Sequence, residues 1–123
     1  MIKLTKNSKI MRTLAFILVL FLFSNCSKNK ELRTDDPCHQ SMKDRFESEL
    51  KCTEKDKMEV NLYSGVYENK TIYFVGTMCP ACNTVPPPFG YTCDGQKVNI
   101  SDFNTKVTDI KQIYNSCTKK FID

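Results

Sequence analysis

Residues 58–77, MEVNLYSGVYENKTIYFVGT, decide the fold class. Val60, Leu62 and Val66 fall on one alternation and Tyr63 and Tyr67 on the other, and Thr71-Ile72-Tyr73-Phe74-Val75 follows after Glu68-Asn69-Lys70. Two runs of β-branched and aromatic residues around a polar break predict a β-hairpin.

Downstream, Cys79-Pro80-Ala81-Cys82-Asn83-Thr84-Val85-Pro86-Pro87-Pro88 is rich in cysteine and proline. Consecutive prolines lack N–H donors and exclude a helix, so this stretch is the least regular loop of the chain. Gly90 to Val98 then places Asp94-Gly95 between two short extended pieces, a favoured two-residue hairpin turn. Beyond Ser101, a capping residue, the apolar positions Phe103, Val107, Ile110, Tyr114, Cys117 and Phe121 recur at spacings of four and three. That stripe predicts an amphipathic C-terminal helix.

Upstream, Asp36-Pro37 supplies an N-cap followed by proline at the first helical position. Cys38, Met42, Phe46 and Leu50 repeat every four residues behind it, predicting an N-terminal helix that ends near Cys52. The expected architecture is therefore α+β: a small antiparallel sheet of two hairpins, with an N-terminal and a C-terminal helix covering one face.

Before this domain lies a different kind of segment. Met1 to Arg12 carries Lys3, Lys6, Lys9 and Arg12 without an acid, and Leu14 to Phe23 is an apolar run of ten residues. A bilayer span needs about twenty, so the pattern reads as an export signal over residues 1–25. Phe23-Ser24-Asn25-Cys26 resembles the lipobox of bacterial lipoproteins, with a bulky apolar residue at −3, a small one at −2 and the acceptor cysteine; Asn25 departs from the Gly or Ala usual at −1. The resemblance covers about the first 26 residues and implies lipidation of Cys26, with palmitate among its acyl chains, and anchoring to a membrane. Each buried methylene contributes about 0.8 kcal/mol, so several chains hold a domain firmly. Ser27 to Asp36 is polar apart from Leu32, which makes residues 26–36 a lipidated cysteine plus tether and 37–123 a single domain. The bulky lipobox with a charged stretch behind it is similar to that of small Bacteroidota envelope lipoproteins. Ser27, where an Asp would favour inner-membrane retention, implies the outer membrane.

Removing the leader changes two counts. Four of the 18 Lys and Arg and none of the 14 Asp and Glu lie in residues 1–25, so the remainder is electrically balanced. A balanced domain lacks the basic footprint of a nucleic-acid binder, and that class is set aside. Of seven cysteines, lipidation of Cys26 leaves six: Cys38, Cys52, Cys79, Cys82, Cys93 and Cys117. In an oxidising envelope an even set in a small domain reads as a disulfide framework, each bridge contributing about 2–4 kcal/mol. A continuous helix would hold Cys38 and Cys52 about 21 Å apart, beyond disulfide reach. Antiparallel helices would bring Cys38 to Cys117, the pairing expected here.

The same residues offer patterns of other chemistries. Cys79-Pro80-Ala81-Cys82 follows a predicted strand as the redox pair of thioredoxin-like proteins does, and thiol–disulfide redox work is the alternative function; Pro86-Pro87-Pro88 stands where that fold continues as helix. Cys79, Cys82, Cys93 and Cys117 include one zinc-knuckle spacing and one that is not, and no metal or other cofactor is assigned. His39, the single histidine, neighbours Cys38 in sequence, but adjacent helical residues do not face one another, and no catalytic residue is assigned. Tyr91-Thr92-Cys93-Asp94-Gly95 with Lys97 and Val98 is similar to the opening strand of membrane-bound lysozyme inhibitors. That family continues as a β-barrel, whereas a helix is read here from Ser101. Of the aromatics around the hairpins, Phe89 and Tyr91 lie in the loop best placed for partner contact, and residues 79–91 are the expected interaction surface. The sequence thus predicts an envelope lipoprotein whose domain binds an envelope protein or a small ligand, or serves structurally, without enzymatic activity.

Overall fold

A computed structural model describes residues 36–122; the expected leader, Cys26 and nearly all of the tether lie outside the described residues. The elements are α1 (Pro37–Arg45), β1 (Lys51–Glu54), β2 (Met58–Tyr67), β3 (Lys70–Met78), β4 (Phe89–Tyr91), β5 (Lys97–Asn99), α2 (Phe103–Lys106), β6 (Thr108–Asn115) and β7 (Lys120–Phe121). The described residues form a seven-stranded antiparallel sheet in the order β5-β4-β3-β2-β6-β7, with β1 paired to β2 off that path.

The β2–β3 hairpin runs in unbroken register from Glu59↔Met78 to Tyr67↔Lys70. Its turn residues Glu68 and Asn69 both take positive φ, 48° and 61°, the geometry that matches the twist of two-residue hairpins. The second edge of β2 is shared. Its start pairs with β1 through Lys51↔Val60 and Cys52↔Glu59, and its remainder pairs with β6 from Leu62↔Tyr114 to Val66↔Thr108.

This sheet replaces the expected α+β architecture of two hairpins and two helices. The long C-terminal helix is the largest correction: only Phe103–Lys106 is helical, and β6 follows. Between Leu62↔Tyr114 and Tyr63↔Gln112, and again between Ser64↔Lys111 and Val66↔Thr108, β6 carries one residue more than β2. Each bulge shifts the period-two alternation by one, so the apolar positions of a bulged strand mimic helical spacing. Asp102 and Asp109, at φ 54° and 49°, also lie outside helical backbone. Gly65 lets the chain entering β6 come close, since a Cβ there would meet Val107 Cγ1 at 2.7 Å.

Helix α1 starts as expected, with Asp36 Oδ1 accepting from the Cys38 N–H at 2.8 Å and the His39 N–H at 3.4 Å. It stops at Arg45 rather than near Cys52, because residues 51–54 pair with β2. The bridges are Cys38–Cys93, Cys52–Cys117 and Cys79–Cys82, with Cα separations of 5.3, 4.8 and 5.3 Å. The expected Cys38–Cys117 pair does not form, since the C-terminal helix it assumed is absent and the end of β6 brings Cys117 beside β1. Two bridges close separations of 55 and 65 residues and contribute about 4 kcal/mol each in the chain-entropy description; the third spans three residues and contributes about half that.

Both faces of the sheet are covered. Leu62, Tyr73, Ile113 and Tyr114 pack with Met42 and Phe46 on the α1 side. Tyr67, Ile72, Phe74 and Val107 pack with Tyr63, Ile100 and Phe103 on the other.

Glu59 and Asn61 also project to that second face, where β1 and β6 meet along β2, and both are buried. Glu59 accepts from the Asp56 N–H at 2.7 Å, Asn61 Nδ2 at 2.8 Å and Asn115 Nδ2 at 2.9 Å. Asn61 Oδ1 accepts in turn from the Ser116 N–H at 2.7 Å and the Ser116 hydroxyl at 3.0 Å. The Asn61 amide first, then the Asp56 N–H, hold the Glu59 carboxyl below its ordinary value of 4.5, outweighing the opposing effect of burial; Asn115 and Lys55 assist. A carboxyl depressed in the fold stabilises it fully above the unfolded pKa, and that contribution is lost as pH falls through the folded value. Glu59→Gln, which turns an amide donor toward amide donors, is expected to lower stability by about 1–3 kcal/mol at pH 7. Urea unfolding from pH 7 to pH 3 checks this: the wild-type advantage over the variant shrinks on acidification.

Replacing the Glu68-Asn69 turn by Asn-Gly, both at home at positive φ, is expected to raise stability by about 0.5–1 kcal/mol. Thermal unfolding of the double variant reads the change.

Candidate functional site

The second face of the sheet carries a cleft. Its floor comes from β2 and β3: Tyr63 and Phe74 are cross-strand partners whose rings stack at 6.1 Å and 12°. Phe103 of α2 meets Phe74 edge-on, at 5.1 Å and 86°. Gly76 lies two residues beyond Phe74 on the same face of β3, and a Cβ there would come within 3.0 Å of the Tyr63 ring. A glycine is what lets that ring lie across the strand.

The chain between β3 and β4 passes over this floor. Pro86 and Pro87 form a wall common to two open clefts of about 420 and 440 Å³. The first lies over Tyr63, Phe74 and Gly76; the second is bordered by Ile100 and Asp102. Val85, on the strap, is 89% exposed, and Ile110, on the rim of the first cleft, is 48% exposed.

The first cleft is lined without a charged side chain; Thr77, Thr84, Asn104 and Tyr63 supply its polar groups. Burial, aided by the negative charge of Glu59, raises the Tyr63 phenol above its ordinary value of 10.0 against a hydrogen bond with Asn61. Tyr63 is therefore neutral at physiological pH. Such a surface suits an uncharged apolar or aromatic group held by a few hydrogen bonds.

The residues singled out in the sequence are distributed otherwise. Phe89 and Tyr91 pack against the α1-side cluster. Tyr91 meets the Phe46 ring at 5.6 Å and lies under the Arg45 guanidinium at 4.5 Å, and Phe89 lies under Lys97 at 4.3 Å. His39 sits 3.4 Å from Asp36 and edge-on to Tyr73, while its neighbour Cys38 is bonded to Cys93. Cys79, Cys82, Cys93 and Cys117, the set with one zinc-knuckle spacing, are divided among three bridges. Cys79 and Cys82 close a turn, with the Cys82 N–H donating to the Cys79 carbonyl at 3.1 Å. The stretch resembling lysozyme inhibitors runs from the last residue of β4 through the connection into β5; the helix that set the chain apart from that barrel is replaced by β6, yet the sheet stays open between β5 and β7.

The spacing of Phe103 and Ile110 is that of a helix face, so it does not point to the cleft. The available signal was Val85, an apolar residue stranded between polar residues and three prolines. Floor and strap differ in what they do for the fold. Phe103→Ala is expected to cost about 1–2 kcal/mol, because it strips a half-buried ring from Phe74, and Val85→Ser to stay within about 0.5 kcal/mol. Urea unfolding of both variants tests the division.

Comparison of the chain with protein-family models, with curated proteins and with solved structures gave no match.

Proposed function

We propose that this chain is a lipid-anchored protein of a bacterial cell envelope, placed at the outer membrane, whose disulfide-stapled β domain is a binding module for an envelope protein or a small ligand. The observation that carries the reading is cysteine parity. Three bridges use all six cysteines of the described residues, so the seventh, Cys26, has no partner left in the domain. An odd cysteine in an exported chain calls for another fate, and its position behind a basic and apolar leader fits acylation. The two long-range bridges fit an oxidising compartment, where such bonds persist. The uncharged cleft beside the proline strap supplies a contact surface whose shape and polarity suit the binding role. A catalytic role for Cys79 and Cys82 has less support, since the pair closes a turn and not a helix N-terminus, where a thiolate would be stabilised.

The test is the intact mass of full-length expressed protein recovered from native membranes, before and after reduction and alkylation. The expected result is a chain beginning at Cys26 and heavier by its acyl groups, with six cysteines that alkylate only after reduction. Unacylated protein recovered from the cytosol with reduced thiols would contradict the proposal.

A further inference from the structure

The three bridges are alike in exposure, each joining one exposed and one half-buried cysteine. They differ in what holds their sulfurs together. Cys38 lies in the first turn of α1, and its partner Cys93 lies in a turn fixed by Gly95 N–H to Thr92 O at 2.9 Å and Gln96 N–H to Thr92 Oγ1 at 3.2 Å. Cys52 is in register with Glu59 on β2, and the Cys117 N–H is held by Asn115 Oδ1 at 2.9 Å. In both cases strand pairing, a helix turn or hydrogen bonds independent of the bridge hold the backbone at each cysteine. Cys79 and Cys82 instead share one loop and a single backbone hydrogen bond.

That loop leads straight into the strap. Among the described residues, no backbone hydrogen bond holds residues 83–87 between the Cys82–Cys79 contact and the bond from the Ile100 N–H to Pro88 O at 2.9 Å. The prolines have no N–H to offer. The strap that walls both clefts is thus fixed at one end by the β4 junction and at the other by a disulfide.

We propose that Cys79–Cys82 is a thiol-exchange site for a dithiol reductant, and that its reduction frees residues 83–87 from their place between the two clefts. A thiolate of the reductant attacks Sγ of Cys82, the exposed member. The Cys79–Cys82 bond breaks, and Cys79 leaves as a thiolate that takes up a proton. The second thiol of the reductant then attacks the mixed disulfide and releases Cys82 as a thiol. Two electrons pass to this chain, and the reductant ends as its own disulfide. Because the other bridges join backbone that is held independently of them, they re-form and resist the same reductant. The inference does not depend on the lipid anchor: the order of reduction is read in the purified protein, whatever the fate of Cys26.

The test uses the full chain, isotope-labelled and incubated at pH 7 in graded dithiothreitol buffers, then quenched with N-ethylmaleimide and mapped by peptide mass. Cys79 and Cys82 are expected to label at a reductant concentration about tenfold below that needed for the other four. In the selectively reduced protein, amide order parameters of Asn83, Thr84 and Val85 should fall below about 0.6 while β2 and β3 stay near 0.85. The Cys79→Ser, Cys82→Ser double variant should show the same loosening without reductant. Simultaneous opening of all three bridges, opening of another bridge first, or a strap as rigid after reduction as before would each overturn the proposal.

Discussion

Everything in this sheet depends on one shared edge. Strand β2 carries β1 on its first residues and β6 on the rest, and a strand edge that changes partner leaves backbone groups of both newcomers without a ladder at the junction. Glu59 and Asn61 fill the gap from the face of β2 itself. The carboxylate takes an N–H from the turn after β1 and an amide from the end of β6, and the Asn61 carbonyl takes both the N–H and the hydroxyl of Ser116. Cys52–Cys117 then crosses the same junction covalently. A buried carboxylate is costly unless it is fully hydrogen-bonded, and here three donors meet it.

The same alternation that places this latch places the cleft. Glu59, Asn61 and Tyr63 are successive residues of one face of β2, so the polar junction passes directly into the aromatic floor. Tyr63 belongs to both: its ring stacks on Phe74, and its phenol is kept neutral by burial and by the charge of Glu59. The strap above is irregular because its prolines can neither pair with the sheet nor turn into a helix. The fold thus combines a tightly bonded base with a cover tied at two points.

How much of this was legible in the sequence follows from which physical rule governed each segment. Residues 58–77 read correctly as a hairpin because two runs of β-branched and aromatic residues flank a single polar break at Glu68-Asn69-Lys70. Asp94-Gly95 marked the place where β4 turns into β5, but the expected two-residue turn is a five-residue connection, 92–96, in which Gly95 takes φ 85°. The segment after Ser101 misled because a bulged strand displaces its apolar residues by one at each bulge, and spacings of three and four are also those of a helix face. Leu50 extends the α1 spacing, but the chain from Lys51 onward, Cys52 included, pairs with β2 and so ends the helix early. Phe89 and Tyr91 border the proline loop in sequence and pack beside α1 in the fold, where Tyr91 meets Phe46 and Arg45 and Phe89 meets Tyr91 and Lys97. The buried role of Glu59 left no trace in one dimension, since a carboxylate on a strand normally marks a solvent face.

The central claim is that the Glu59–Asn61 latch welds β1 and β6 onto one edge of β2, and native-state amide hydrogen exchange tests it directly. The amides of Asp56 and Ser116 lie outside the strands, and each donates to a side chain of the latch. Both are expected to exchange as slowly as the β2–β3 ladder amides, opening only with global unfolding. Exchange of both at the rates of the exposed loop amides, with the ladder still protected, would contradict it.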